Sequence, residues 1–227
     1  EIMPSLVGSE MCIRDRLIKE KHFCCVCKRI EEYEVVAECD KAVERDMDTR
    51  PYGEARALGK YGIQLCPYCG YANTAVDEAI EGIDVEKIIA GGEYSKLLSG
   101  RIDENAKKFI LAAFLHERAG NYDLSAYFYL KAAWMFDDAK EEGNAVKLRK
   151  RSLVDFAMLE QNAETLLLEA DISRRCGGFK EAGQLISKIR KSGEVTNELK
   201  QCIKAEKAAL FWKNRDALKR PGSQRDR

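Results

Sequence analysis

Two cysteine pairs of identical spacing, Cys24-x-x-Cys27 and Cys66-x-x-Cys69, constrain this chain more than any other feature. A two-residue gap lets a tight turn present both sulfurs to one ion. Two such turns can close on that ion from opposite sides and surround it with a tetrahedron of thiolates. The pairs therefore predict a structural zinc held by Cys24, Cys27, Cys66 and Cys69. In Leu65-Cys66-Pro67-Tyr68-Cys69-Gly70-Tyr71, the glycine stands where the turn favours a residue without Cβ. In Phe23-Cys24-Cys25-Val26-Cys27-Lys28, a lysine takes that place and Cys25 is left over. Four sulfur ligands leave zinc no open position for water, so the ion is expected to hold structure and not to catalyse.

Other readings of the cysteines stay open on sequence alone. Cys66-Pro67-Tyr68-Cys69 also has the pattern of a glutaredoxin-like dithiol, in which a lowered thiol pKa activates the first sulfur. That chemistry needs a cis-proline facing the dithiol. The remaining prolines are Pro4, Pro51 and Pro221, the last in a charged tail, and no βαβ pattern follows. A third reading is buried thiols without metal. Cys176 and Cys202 fit it, and Cys39 is either a strand residue or a substitute ligand.

Ser5 to Arg16, SLVGSEMCIRDR, resembles a translated sequencing-library adapter. Residues 1–16 are therefore read as non-native and set aside from the fold. No apolar run approaches the ~20 residues of a membrane span; the longest is Phe109 to Leu115. No secretory signal is visible, and paired cysteines in that setting read as metal ligands in a reducing compartment. A cytoplasmic location is expected. Formal net charge is zero but unevenly spread. Residues 17–100 carry 11 Lys+Arg against 16 Asp+Glu, a balance of −5, and residues 101–227 carry 25 against 19, a balance of +6. An acidic metal module suits phosphate backbones poorly, which counts against nucleic acid as a partner.

The expected fold is mainly α: a small β-rich zinc-ribbon-like domain over 17–82, a helical domain over 83–214, and a charged tail over 215–227. Glu31 to Cys39 and Tyr61 to Leu65 read as strands. Between them lies a polar loop with Arg45-Asp46-Met47-Asp48 and Arg50-Pro51-Tyr52-Gly53, in which Asp46 and Asp48 read as a solvated acidic turn. Thr74 to Gly82 reads as a short helix. Ala106, Phe109, Ile110, Ala113 and Phe114 then form a helical stripe. Gly120-Asn121 stops it, and Asp123 can cap the next helix, Leu124 to Phe136, which is apolar on most sides. Further helices are expected over Ala145 to Gln161, Ala163 to Cys176, from Phe179, and from Thr196 to Trp212. His22 reads as a neighbour of the metal and His116 as packed among helices. Lys147, Arg149, Lys150 and Arg151 read as a solvated basic face.

The helical half contains a repeat. Ala113, Gly120, Tyr122, Tyr129 and Ala132 recur at the same intervals as Ala170, Gly177, Phe179, Ile186 and Ile189. This resembles the tetratricopeptide pattern, although the copies are 57 residues apart and not about 34, so one helix is inserted between them. The resemblance implies a groove for a protein partner. Its groove-facing positions fall on Lys107, Ile110, Phe114, Glu117 and Arg118, and on Glu164, Leu167, Asp171, Arg174 and Arg175.

With its cysteine pairs, Arg45-Asp46-Met47-Asp48 and Cys66-Pro67-Tyr68-Cys69-Gly70-Tyr71-Ala72, the chain resembles a bacterial family of domains of unknown function, number 2225. The resemblance runs from Phe23 to about Trp212. It departs at Cys24 to Lys28, where the family pattern suggests proline and then glycine. The family implies a zinc-ribbon-like module and a tetratricopeptide-like region, and no activity. The sequence thus reads as a non-catalytic, zinc-binding interaction scaffold. A nucleic-acid-binding zinc ribbon and a dithiol oxidoreductase at Cys66 and Cys69 are the alternatives.

Overall fold

In the computed structural model, which describes residues 15–37, 44–191 and 195–221, both cysteine turns are the loops of β-hairpins. Strand β1 (Leu17–Phe23) pairs antiparallel with β2 (Ile30–Val36), from Leu17 opposite Val36 to Phe23 opposite Ile30. Their loop is the first cysteine turn. Strands β3 (Gln64–Leu65) and β4 (Ala72–Asn73) flank the second. β1 has no strand signal of its own, because Leu-Ile-Lys-Glu-Lys-His-Phe does not alternate cleanly. Its partner defines it: Lys19 lies opposite Glu34 and Lys21 opposite Glu32, and Lys19 Nζ reaches diagonally to Glu32 at 3.0 Å; an opposite-charge pair across two strands contributes roughly 0.2–1 kcal/mol.

Two expected elements differ in this module. The strand over Tyr61 to Leu65 shrinks to β3, because a short helix α1 (Glu54–Leu58) and a 3₁₀ turn (Gly59–Tyr61) occupy the approach. Thr74 to Gly82 forms turns and no helix. Its backbone is committed elsewhere. Val76 O accepts from Cys25 N at 2.8 Å, and Glu78 O accepts from Tyr71 Oη at 2.6 Å and Asn73 Nδ2 at 3.1 Å. Groups that hold the cysteine turns cannot also close a helical ladder.

The rest is helical, so the chain is mainly α: α2 (Val85–Ala90), α3 (Gly92–Ser99), α4 (Glu104–Arg118), α5 (Tyr122–Asp138), α6 (Glu142–Phe156), α7 (Ala163–Arg175), α8 (Phe179–Lys191) and α9 (Asn197–Phe211). Asp103, Asn162 and Thr196 cap α4, α7 and α9 through their side chains. Asn121, not Asp123, precedes α5, and Asp123 lies within its first turn. α6 stops at Phe156, short of Gln161, whose Nε2 donates back to Phe156 O at 3.3 Å. Sequential helices pack as α4 on α5, α5 on α6 and α7 on α8, with α9 against α7 and α8. Among the described residues no helix is long and apolar enough to cross a membrane.

The helix ends repeat one motif. Gly120 N donates to Glu117 O and Asn121 N to His116 O; Gly177 N donates to Arg174 O and Gly178 N to Ser173 O. This paired closure is the Schellman arrangement. The ends of α5 and α9 show it too, through Lys140 N to Asp137 O with Glu141 N to Phe136 O, and Lys213 N to Leu210 O with Asn214 N to Ala209 O. There the left-handed residue is a lysine, at φ 59° and 50°. Only the two glycine versions are visible as a sequence repeat.

The main core runs without a break from Cys24, Cys66, Tyr71 and Ala72 through Phe109, Leu111 and Leu115 to Phe128, Leu130 and Phe156. A second core joins Leu167, Ala170, Ala182, Ile186 and Cys202 to Met47 of the polar loop. That loop is not solvated. Asp46 is 2% exposed and Asp48 fully buried. Asp48 Oδ2 accepts from Trp134 Nε1 at 2.9 Å and from Arg175, and Asp46 Oδ1 accepts from Tyr52 Oη at 2.6 Å. Buried carboxylates persist because they are paired in this way. The tail lies beside the loop, with Met47 N donating to Leu218 O at 2.7 Å and Arg220 N to Arg45 O at 2.8 Å.

Loop and tail together cover most of the groove positions implied for the second copy. Arg174, fully buried, donates to Glu206 at 2.9 Å, to Asp171, and to the carbonyls of Asn214 and Asp216 at 2.7 and 2.9 Å. In the first copy, Phe114 meets Tyr94 of α3 edge to face at 5.9 Å, and Arg118 binds Glu93. The expected solvated basic face is also half neutralised. Arg149 is buried against Asp137, and Arg151 pairs with Glu117 and Asp155.

Candidate metal centre

The two cysteine turns are built alike, residue for residue. In each, the first cysteine's N–H donates across the turn: Cys24 N to Arg29 O and Cys66 N to Tyr71 O, both 2.8 Å. In each, the residue after the second cysteine donates back: Lys28 N to Cys24 O and Gly70 N to Cys66 O, both 2.9 Å. That residue is left-handed in both, at φ 60° for Lys28 and 78° for Gly70. Backbone hydrogen bonding therefore fixes where all four sulfurs point. It also explains why two unlike sequences give one geometry.

The four sulfurs converge. Cys24 Sγ lies 3.6 Å from Cys69 Sγ, and Cys27 Sγ lies 3.6 Å from Cys66 Sγ. All four ligand atoms fall within 4.8 Å of one another, and the described residues contain no other such group. A tetrahedral ion with metal–sulfur bonds of about 2.3 Å would set its sulfurs about 3.8 Å apart, so the set fits one ion closely. Burial pushes the Cys24 and Cys69 thiols up, against backbone N–H groups that favour the thiolate. A cation held at the centre would supply the opposite charge that sulfur anions lack there.

Other residues singled out in the sequence stand outside the set. Cys25 Sγ turns away to Glu78 O at 3.6 Å. Cys39 lies outside the described residues, as does the adapter-like segment up to residue 14. Cys176 and Cys202 sit in the helical half as free thiols, Cys202 fully buried in the second core. His22 is no ligand: Nδ1 meets Asp77 and Nε2 meets Glu20, each at 3.2 Å.

The centre is docked on the helices by groups the sequence did not flag. Tyr94 of α3 donates to Gly70 O at 2.7 Å. Leu98 of α3 packs so closely that a Cβ on Gly70 would lie 2.5 Å from its Cδ2. Asn73 of β4 uses its amide nitrogen on Tyr71 Oη and Glu78 O, which leaves Oδ1 to accept from His116 Nε2 at 3.0 Å. The other ring nitrogen of His116 then accepts from Asn121 Nδ2 at 3.3 Å. His116 is thus held neutral with its proton on Nε2, and burial lowers its pKa. The Gly-Tyr-Ala-Asn run after Cys69 was the only available signal, since Gly70, Tyr71 and Asn73 all make these contacts.

A family model described as an uncharacterized protein conserved in bacteria (DUF2225) matches residues 17–210. No curated protein and no solved structure matches the chain.

Proposed function

We propose that this chain, which belongs to the DUF2225 family, is a non-catalytic scaffold whose helical array is braced at one end by a structural zinc and presents a surface to another protein. One observation carries the reading. Four cysteine sulfurs close on a single point from two backbone-locked turns. An all-sulfur, four-ligand set suits zinc and leaves no coordination position for a substrate or water. Cys24, Cys27, Cys66 and Cys69 would hold the ion, and the chemistry it supplies is folding free energy, on the order of 10 kcal/mol. That is what a two-hairpin module needs, since isolated two-stranded sheets are marginal in water. Thiols that must stay reduced to bind metal fit the cytoplasm. The tetratricopeptide-like repeat and its Schellman ends support the scaffold reading for the helical half.

A dithiol oxidoreductase is supported less well. Activated Cys-x-x-Cys pairs sit at helix N-termini, whereas Cys66 to Tyr71 leads from β3 to β4. The test is metal content by mass spectrometry on protein purified under reducing conditions. About one zinc per chain is expected, lost in Cys66→Ser/Cys69→Ser. Iron in its place, or free reactive thiols that reduce glutathione disulfide, would overturn the assignment.

A further inference from the structure

We propose that the cleft between α8 and α9 is a docking site for an acidic segment of a partner protein that carries an apolar anchor. This rests on the scaffold reading and gives the partner its chemistry. Arg190, Val195, Lys200, Ile203 and Lys207 line an open cleft of about 360 Å³. Lys200, Ile203 and Lys207 follow one another at i, i+3 and i+7 on α9 and so share one stripe. Phe211 continues that stripe at i+11. It is 77% exposed and rests edge to face on Trp212 at 5.0 Å. From Lys200 to Phe211 the stripe is about 16 Å long.

Charge complementarity selects the occupant. Many arginines of the helical half are spent on carboxylates, among them Arg149 on Asp137, Arg174 on Asp171 and Glu206, and Arg220 on Glu164 and Glu198. The side chains of Arg190, Lys200 and Lys207 are exposed and have no such partner among the described residues. Three cations without a carboxylate partner among the described residues, around a floor of Val195 and Ile203, call for carboxylates spaced about an aliphatic or aromatic side chain. A second copy does not fit, because α9 against α9 sets lysine stripes of like charge together. A nucleic acid would use the cations but leave the aliphatic floor without a partner.

The test is fluorescence anisotropy on the full chain. The probes are a labelled helical peptide of about 16 residues with Glu and Leu on one face, the same peptide with Lys for Glu, and an oligothymidylate of matching length. The acidic peptide is expected to bind saturably and to weaken with salt. Lys200→Glu/Lys207→Glu should weaken it at least about tenfold by turning attraction into repulsion, while Lys150→Glu on α6 leaves it unchanged. Absence of saturable binding, equal binding by the reversed variant, preference for the oligothymidylate, or self-association abolished by the reversal would each overturn the proposal. The exposed variants should keep the wild-type melting temperature and metal content. A failed titration on such protein sinks the cleft alone, whereas missing zinc sinks the scaffold reading and leaves the cleft to be judged by its own titration.

Discussion

Replacing Gly70 with alanine probes how the metal module is bound to the helices, and the structure separates its effect into two parts. The first is conformational. Gly70 sits at φ 78°, where an L-residue is disfavoured by roughly 1–2 kcal/mol. The second is steric. The new methyl would lie 2.5 Å from Leu98 Cδ2 and 3.2 Å from its Cδ1, and overpacking of this kind costs typically about 1–3 kcal/mol. Gly70→Ala should therefore destabilise by about 2–5 kcal/mol. Because metal binding and folding are linked, each 1.4 kcal/mol of that loss should appear as about tenfold weaker apparent metal affinity. The assay is a double-mutant cycle with Leu98→Ala, read by urea unfolding of the metal-loaded protein and by chelator competition. Leu98→Ala removes the steric part and leaves the conformational part, so a coupling of about 1–3 kcal/mol in favour of the double variant is expected. Strict additivity, or a Gly70→Ala protein as stable as the wild type, would refute both the docking of α3 on the turn and the division into two costs.

The remaining predictions follow from the same geometry. Lys28→Gly and Lys140→Gly should each stabilise by about 0.5–1 kcal/mol, because both lysines hold left-handed positions that Gly70 and Gly120 fill elsewhere; thermal melts check this, and a fall in melting temperature contradicts the equivalence of the turns. Arg174→Met should cost about 3–5 kcal/mol by stranding the buried carboxylates of Asp171 and Glu206. Adding Asp171→Asn and Glu206→Gln should recover part of the loss in denaturant titrations. Burial holds the folded-state pKa of His116 below its ordinary 6.5, so the unfolded chain takes up the proton first. The stability from the neutral ring is fully present above about pH 6.5 and declines as pH falls below it. His116→Gln should flatten the slope of unfolding free energy between about pH 7 and 5; an unchanged slope would remove the ring from its bridging role.

What could be read from the sequence was local. Cys24, Cys27, Cys66 and Cys69 are legible because a two-residue gap alone sets where paired sulfurs point. The helices of the second half are legible because their apolar stripes act within a few residues, whereas the one cap read from the sequence, Asp123, lies inside the first turn of α5. The two glycine-ended turns are legible because only glycine reaches a left-handed position without strain, and the same turns at Lys140 and Lys213 escape notice because neighbouring structure imposes the strain there.

Everything that joins these pieces depended on distant partners. Strand β1 exists through its lysines facing glutamates of β2. Asp46 and Asp48, polar by composition, are buried because Tyr52, Trp134 and Arg175 meet them there. His116 bridges Asn73 and Asn121, and Leu98 closes on Gly70. The sequence by itself determined the four-cysteine cluster that could hold a metal, the helical character of the second half and the family. Only the tertiary structure decided that the polar loop and the tail fill the space between helices, because the burial of a charge depends on which opposite charge folding brings beside it, and no local pattern records that pairing.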